Sequence, residues 1–377
     1  MRRPLESIQW GLYCTSSWTW CIGMYLPFIM LRLWGWPGFW AFLVPNVVGC
    51  TLFGLALDRK RSRALARRLG WTCALFSAVT IAYQLYFAGW TAQWFVGDAA
   101  GLRTVVATGA PIAMLAVAAM LALRDDGAWR MLGAVLALAA PAVLLLPGGL
   151  AGAGAGAATA GTPAADSTTA PLLGTLPLAF ALPTIIAGFL ASPLFDLTFH
   201  RAAQHAPSPR LAFLTFGATF AAMLLLVASF NDPADGMPRL GPAIATLWAV
   251  QLTFTVGAHL RELFRAPPSI RLPVPLTGAL IALAMLLALP DVAFAIAPAL
   301  GPGEPTYLGF LGAYGLLFPV LAVLEARGAP RAMTLAILGL GVPCYLLGAW
   351  EFRTFLMPLP IVAAIVAARL VNRATKS

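Results

Sequence analysis

The chain has 377 residues, of which 60% are hydrophobic and 10% charged, with a formal net charge of +10. A soluble domain carries about 25% charged residues, so these proportions exclude a water-soluble globular enzyme. The basic excess would suit nucleic acid if it formed one patch, but it is distributed between apolar segments, which points to a lipid bilayer and away from nucleic acid.

The first apolar segment, 9–31, contains a polar run from Tyr13 to Thr19, followed by Gly23 and Pro27. Proline removes a backbone hydrogen bond and clashes with the preceding turn, and glycine tolerates the resulting distortion. Interrupted helix survives inside a bilayer only where protein or a water-filled cavity satisfies it. Freed carbonyls with the hydroxyls of Ser17 and Thr19 would then cage a dehydrated cation, and Trp18, Gly23 and Pro27 would face a solute. A plain proline kink with Ser/Thr bonded back to the helix accounts for the same pattern. Met1-Arg2-Arg3 before this segment resembles a signal peptide, but no small-residue cleavage site precedes Arg32, so the segment is expected to be retained.

Further spans follow at 36–57, with Pro45 and Asn46, and at 70–95, with Tyr83 and Gln84 as interior polar groups. The next two are 101–123 and 130–150. Residues 148–170, GGLAGAGAGAATAGTPAADSTTA, carry Asp166 as their one charge and read as a flexible linker. The linker divides the chain into a five-helix unit (1–150), the linker proper (151–170), a second five-helix unit (171–326), and a trailing pair of helices with a basic tail (327–377). Two consecutive units of five helices have opposite orientation, an inverted repeat of the kind many secondary transporters use.

The sixth span, 174–199, carries Gly188 and Pro193, which match Gly23 and Pro27 of the first. A matched pair of interrupted helices points to a transport site between them. Asp196 and His200 stand four residues apart on one helical face. Asp196 falls near the expected C-terminal helix end, where the macrodipole disfavours an acid. That placement suggests a cation partner, a proton relay or a gate, or else a local ion pair with His200 or Arg201. After 209–230, the eighth span (240–263) carries Thr246, Trp248, Gln251, Thr253, Thr255 and His259, which read either as a cation or solute site or as interhelical hydrogen bonds. Spans at 272–297, 305–326, 331–351 and 354–373 complete an all-α polytopic membrane protein of about 12 transmembrane helices, with Asp291 and Glu325 read as solvated acids near span ends.

With the N-terminus in the cytoplasm, 20 of the 24 Lys and Arg residues fall in the connections expected there; only Arg32, Arg103, Arg239 and Arg353 do not. This asymmetry sets both termini inside a bacterial-type plasma membrane. Cys14, Cys21, Cys50, Cys73 and Cys344 all lie in apolar stretches and read as free thiols, without a disulfide framework or a metal signature. No HExxH, GxSxG or P-loop occurs, so neither a catalytic residue nor a bound cofactor is expected.

The stretch Ser16–Arg63, a polar broken helix followed by a Gly35-Trp36 turn and a helix ending in a basic cluster, resembles the first core helix pair of solute:sodium symporters. Gly188–Phe230 is similar to the corresponding part of their second repeat, and 246–263 to their cation-bearing eighth core helix. The layout resembles the leucine-transporter fold of the amino acid–polyamine–cation superfamily, five plus five inverted helices with two extra. The resemblance implies cation-coupled uptake of a small organic solute by alternating access. It also implies a sodium ion between the first and eighth core helices, held by backbone carbonyls and a Ser/Thr pair. Here that pair reads Thr246-Leu247, leaving Thr246 as its one hydroxyl. The expected solute-binding residues are Trp18, Gly23, Pro27, Tyr83, Gly188, Pro193 and Gln251; the cation, Na+ or H+, falls to Ser17, Thr19 and Thr246; gating or proton relay falls to Asp196 and His200. Two other classes fit the sequence: a non-transporting sensor or scaffold with a protein partner, and a lipid-acting enzyme using Asp196 and His200 as acid and base.

Overall fold

The computed structural model describes residues 2–96, 100–145, 171–229, 242–290 and 300–374. The expected linker 151–170, together with Arg239 and Asp291, lies outside the described residues. Among the described residues no strand occurs, and ten helical stretches are long and apolar enough to cross a membrane. A helix satisfies its own backbone polar groups, which is what hydrocarbon demands of a spanning segment. Apolar side chains such as Leu123, Leu335 and Leu340 point outward, as a lipid-facing surface requires.

The first helix, α1 (Arg2–Trp18), is the most polar of the apolar segments, and its hydroxyls turn inward. Ser17 Oγ donates to Cys14 O at 2.9 Å, and Thr19 Oγ1 donates to Thr15 O at 2.8 Å. After Trp18 the chain makes a π turn, Thr19–Gly23, in which Trp20 (φ −85°, ψ 168°) and Cys21 (φ 64°, ψ −65°) leave helical geometry. Helix resumes in α2 (Leu26–Ala56), with Pro27 in its first turn, where the missing N–H costs no hydrogen bond. The break therefore lies before Gly23 and Pro27, and Pro27 starts the second half-helix instead of kinking the first.

Within α2 the chain doubles back at Gly35 (φ 63°, ψ −156°), a conformation that a side chain would strain. The half-helix ending there has its last carbonyls satisfied from a distant segment: Leu172 N donates to Arg32 O at 3.3 Å and Leu173 N to Leu33 O at 2.8 Å. A short basic helix, α3 (Arg59–Arg68), is capped by the Asp58 side chain, which accepts from Arg61 N. It leads into α4 (Gly70–Ala92), which is buried along nearly its whole length and acts as the central post. Two further helices follow, α5 (Ala100–Ala122) and α6 (Asp126–Leu145).

The chain continues with α7 (Thr175–Phe195) and α8 (Leu197–His205), followed by α9 (Pro209–Ser229), α10 (Pro242–Arg265) and α11 (Val274–Leu287). The next span is built in three pieces: α12 (Glu304–Gly312), a π turn over Ala313–Leu317, and α13 (Phe318–Glu325). Thr72 Oγ1 lies 2.8 Å from both carboxylate oxygens of Glu325, so this acid is tied to α4 instead of standing in solvent. The trailing pair is α14 (Arg331–Trp350) and α15 (Leu359–Ala374), two separate helices.

The sixth span corrects the expected interruption between Gly188 and Pro193. Helix α7 runs unbroken through both residues, and the backbone leaves helical geometry at Asp196 (φ −77°, ψ 106°). Gly188 serves close packing: a Cβ there would lie 2.9 Å from Tyr314 O. Pro193 lacks an N–H for Phe189 O, a loss that membrane helices tolerate within packed surroundings.

Candidate functional site

Asp196 occupies the joint between α7 and α8. Its carboxylate caps α8, with Oδ1 accepting from Thr198 N (2.7 Å) and Thr198 Oγ1 (2.6 Å). The expected end-of-helix position is thus corrected: Asp196 sits at the start of a helix, the positive end of the dipole, where an acid is favoured. Its other oxygen, Oδ2, accepts from Trp18 Nε1 at 2.8 Å, so the two broken elements meet through this carboxylate. On α2, Gly49 packs against Phe189 and Leu190, and Phe53 lies against His200. Asp196 falls between these levels, one to two turns inside the end of α2.

Beside this contact lies a small cavity. Ser17, Trp18, Trp20 and Ile22 line it from the break, Phe76, Thr80 and Gln84 from α4, and Asp196, His259 and Tyr314 complete the wall. Thr80 Oγ1 is 2.9 Å from Tyr314 Oη, and His259 Nδ1 is 3.2 Å from Ser77 Oγ. Gln84 Oε1 and Trp20 Nε1 are buried without a hydrogen-bond partner among the described residues. Buried polar groups are nearly always paired, so unpaired ones on a cavity wall mark where a ligand group would dock.

Ion pairs lie on both sides of this cavity. Toward the face that carries the N-terminus, Arg201 holds Glu262 through two bonds of 2.9 and 2.7 Å, Arg261 pairs with Asp126, and Arg265 Nη1 lies 3.1 Å from the same Asp126. Toward the opposite face, Glu304 accepts from Arg32 (2.6 Å), Tyr25 Oη (2.7 Å) and Gly301 N (2.8 Å). Tyr25 is surrounded there by Phe87, Trp90, Trp94 and Tyr307. Tyr307 Oη also donates to Cys21 O at 2.5 Å, pinning the break from that side.

The expected site residues divide into those brought together and those kept apart. Ser17 and Trp18 line the cavity with Asp196. Gly23 packs against Phe220, and Pro27 is buried in the second half-helix. Tyr83 is fully buried and stacks on Phe310 beside the site. Gly188 lines a different and larger cavity, almost wholly apolar, which shares Tyr314 as a wall with the first. Gln251 is fully buried with both amide atoms unpartnered.

Three expectations are corrected. Thr246 is exposed near the start of α10 and bonds back to Pro242 O, so it cannot join Ser17 and Thr19 around a cation. Thr255, more than two turns further along, is the hydroxyl that meets the first helix, donating to Ser17 O at 3.2 Å. His200 does not face the Asp196 carboxylate; its ring nitrogens contact Ser62 Oγ and Leu194 O, both at 2.9 Å. No acid–base pair forms between them, and the histidine sharing the cavity with Asp196 is His259.

The reading of the sequence assigned no site role to Gln84, Thr80, Tyr314 or Glu304. A signal for the last existed: Arg32 is one of the few basic residues on the wrong side of the charge pattern, and Glu304 opens the tenth span. Compared with known proteins, the chain matches no family model, no curated protein and no solved structure.

Proposed function

We propose that this protein is a secondary transporter that moves a small organic solute by alternating access, coupled to a cation. The observation carrying this reading is the buried polar cavity between two separate layers of ion pairs, at the contact of two broken helical elements. A structural membrane subunit has no need of a cavity with unpaired polar atoms, nor of charged closures on both sides of it. Opposite conformations follow from breaking one closure at a time, and a bound solute shifts their balance only as far as it binds one better than the other.

On this reading the ten apolar helical stretches belong to a layout of twelve spans, five plus five inverted helices with two extra, in the manner of the leucine-transporter fold. The broken elements then hold corresponding places, first in each unit, and Trp18 meets Asp196 where those places face each other. The basic face, with Arg3, Arg59–Arg68 and Arg124, is the cytoplasmic one under the positive-inside rule, which puts both termini inside a bacterial-type plasma membrane. A coupling cation, Na+ or H+, is placed beside Ser17 and Thr19, with Thr255 in the role earlier given to Thr246. Thr255 reaches the first helix there, donating to Ser17 O.

The test needs no known solute. In a chain whose five cysteines are replaced by alanine, Gln84→Cys is inserted into sealed proteoliposomes and exposed to a membrane-impermeant thiol reagent on one side at a time. Alternating access predicts labelling from either side. Arg32→Ala is expected to raise the rate from the Glu304 side by about tenfold for each ~1.4 kcal/mol it takes from that closure. Labelling from neither side overturns the reading in favour of a sensor or scaffold subunit.

A further inference from the structure

Three acids are buried among the described residues: Asp196, Glu262 and Glu304. Glu262 has Arg201 and Glu304 has Arg32. Asp196 has no Lys, Arg or His within ion-pair distance among the described residues; its partners are the Trp18 indole and the amide and hydroxyl of Thr198, all neutral donors. An ionised carboxylate removed from water is costly unless a cation shares its site. The cavity supplies room for one. Rings of Trp18, Trp20, Phe76 and Tyr314 line it, and the face of an aromatic ring attracts a cation. Gln84 Oε1, on a side chain 4% exposed, is an unoccupied acceptor on the same wall.

The same inventory argues against an anionic cargo. No Arg or Lys lines the cavity, and the one helix N-terminus at the joint, that of α8, is already filled by Asp196 itself. A bare metal ion fits the inventory less well than an organic one. One carboxylate, no second acid and four aromatic rings describe a pocket for an ion with an apolar body. We infer that the cargo is a small organic ammonium, its charged nitrogen on Asp196 and its apolar part against the aromatic wall. The inference rests on the transport reading for the word cargo; binding is measured without transport.

Binding of benzylammonium, benzyl alcohol and sodium chloride to the purified full chain in nanodiscs is to be measured by calorimetry and by thermal shift at constant ionic strength. The expected result is saturable benzylammonium binding at least tenfold tighter than that of its neutral isostere, not reproduced by sodium. Asp196→Asn keeps the cap through its one carbonyl oxygen and turns an NH2 toward Trp18 Nε1; it is expected to weaken the ammonium at least tenfold and the alcohol far less. Trp20→Leu keeps the charge and is expected to weaken the ammonium about three- to tenfold. Size-exclusion profiles show which variants are folded; if Asp196→Asn is not, Trp20→Leu carries the test. Equal binding of ammonium and alcohol, undiminished ammonium binding in the folded variants, or a full shift by sodium alone overturns the proposal. Ammonium binding in a protein whose cavity never labels from either side would retire transport and keep the cation site.

Discussion

The two ends of the molecule close over the same cavity by different means. Toward the face that carries the N-terminus, the barrier is thin and ionic. His259 lines the cavity and Glu262 is three residues further along α10, about 4.5 Å at the helical rise. Toward the opposite face, Tyr314 lines the cavity and Glu304 is ten residues away, on the order of 15 Å, with the cluster around Tyr25 packed between. Ion pairs in a thin layer part when helices shift by a turn or less, whereas interlocked aromatic rings must unpack together. On the transport reading proposed above, this conformation is closed more deeply on the Glu304 side and lies nearer to opening on the other.

Breaking the thin layer should have the largest effect. Glu262→Gln leaves the partly buried Arg201 guanidinium without its bidentate partner, and we expect a loss of about 3 kcal/mol, read as a lowered unfolding temperature in detergent. Arg32→Met orphans Glu304 in the same way, but the Arg32 side chain keeps 35% of its exposure, so about 2–3 kcal/mol is expected. The double variant Arg32→Met with Glu304→Gln should recover most of that loss, because no uncompensated charge is left. Tyr25→Phe removes one hydrogen bond to the Glu304 carboxylate while leaving the ring packing, for about 1.5 kcal/mol. Asp196→Asn keeps the α8 cap through its one carbonyl oxygen but turns an NH2 toward Trp18 Nε1, so about 1–3 kcal/mol is expected from that lost hydrogen bond alone. It belongs to neither closure and has no cation to orphan. A larger loss on Asp196→Asn would place this residue among the closures and erase the contrast.

What the sequence made legible follows from range. The apolar spans and the polar run Tyr13–Thr19 are local signals, and the backbone does break directly after that run, at Trp20 and Cys21. Gly188 and Pro193 carry the same local signal without a break, because the close approach that Gly188 permits is to Tyr314, far along the chain. Asp196 was misread for a related reason. A span of fixed length puts it at a helix end, and only the restart at Leu197 makes it a cap; the residue type, an acid just before a helical run, was the available clue. Thr246 and Thr255 differ by depth alone, and span limits drawn from hydropathy are too coarse to rank hydroxyls along a helix. The pairing of Arg32 with Glu304 joins residues 272 apart, so no window of sequence contains it.

The π turn at Ala313–Leu317 has a further consequence, for the phase of the tenth span. A π turn holds one residue more than an α turn, and one residue is worth about 100° of rotation about the helix axis. Glu304 before the turn faces Arg32, and Glu325 after it faces Thr72. Deleting a single residue from the turn would leave the first of these partnerships in register and swing the second through more than a quarter of a circle, away from α4. The surplus residue therefore acts as an angular spacer, setting the direction in which each end of one helix presents its acid.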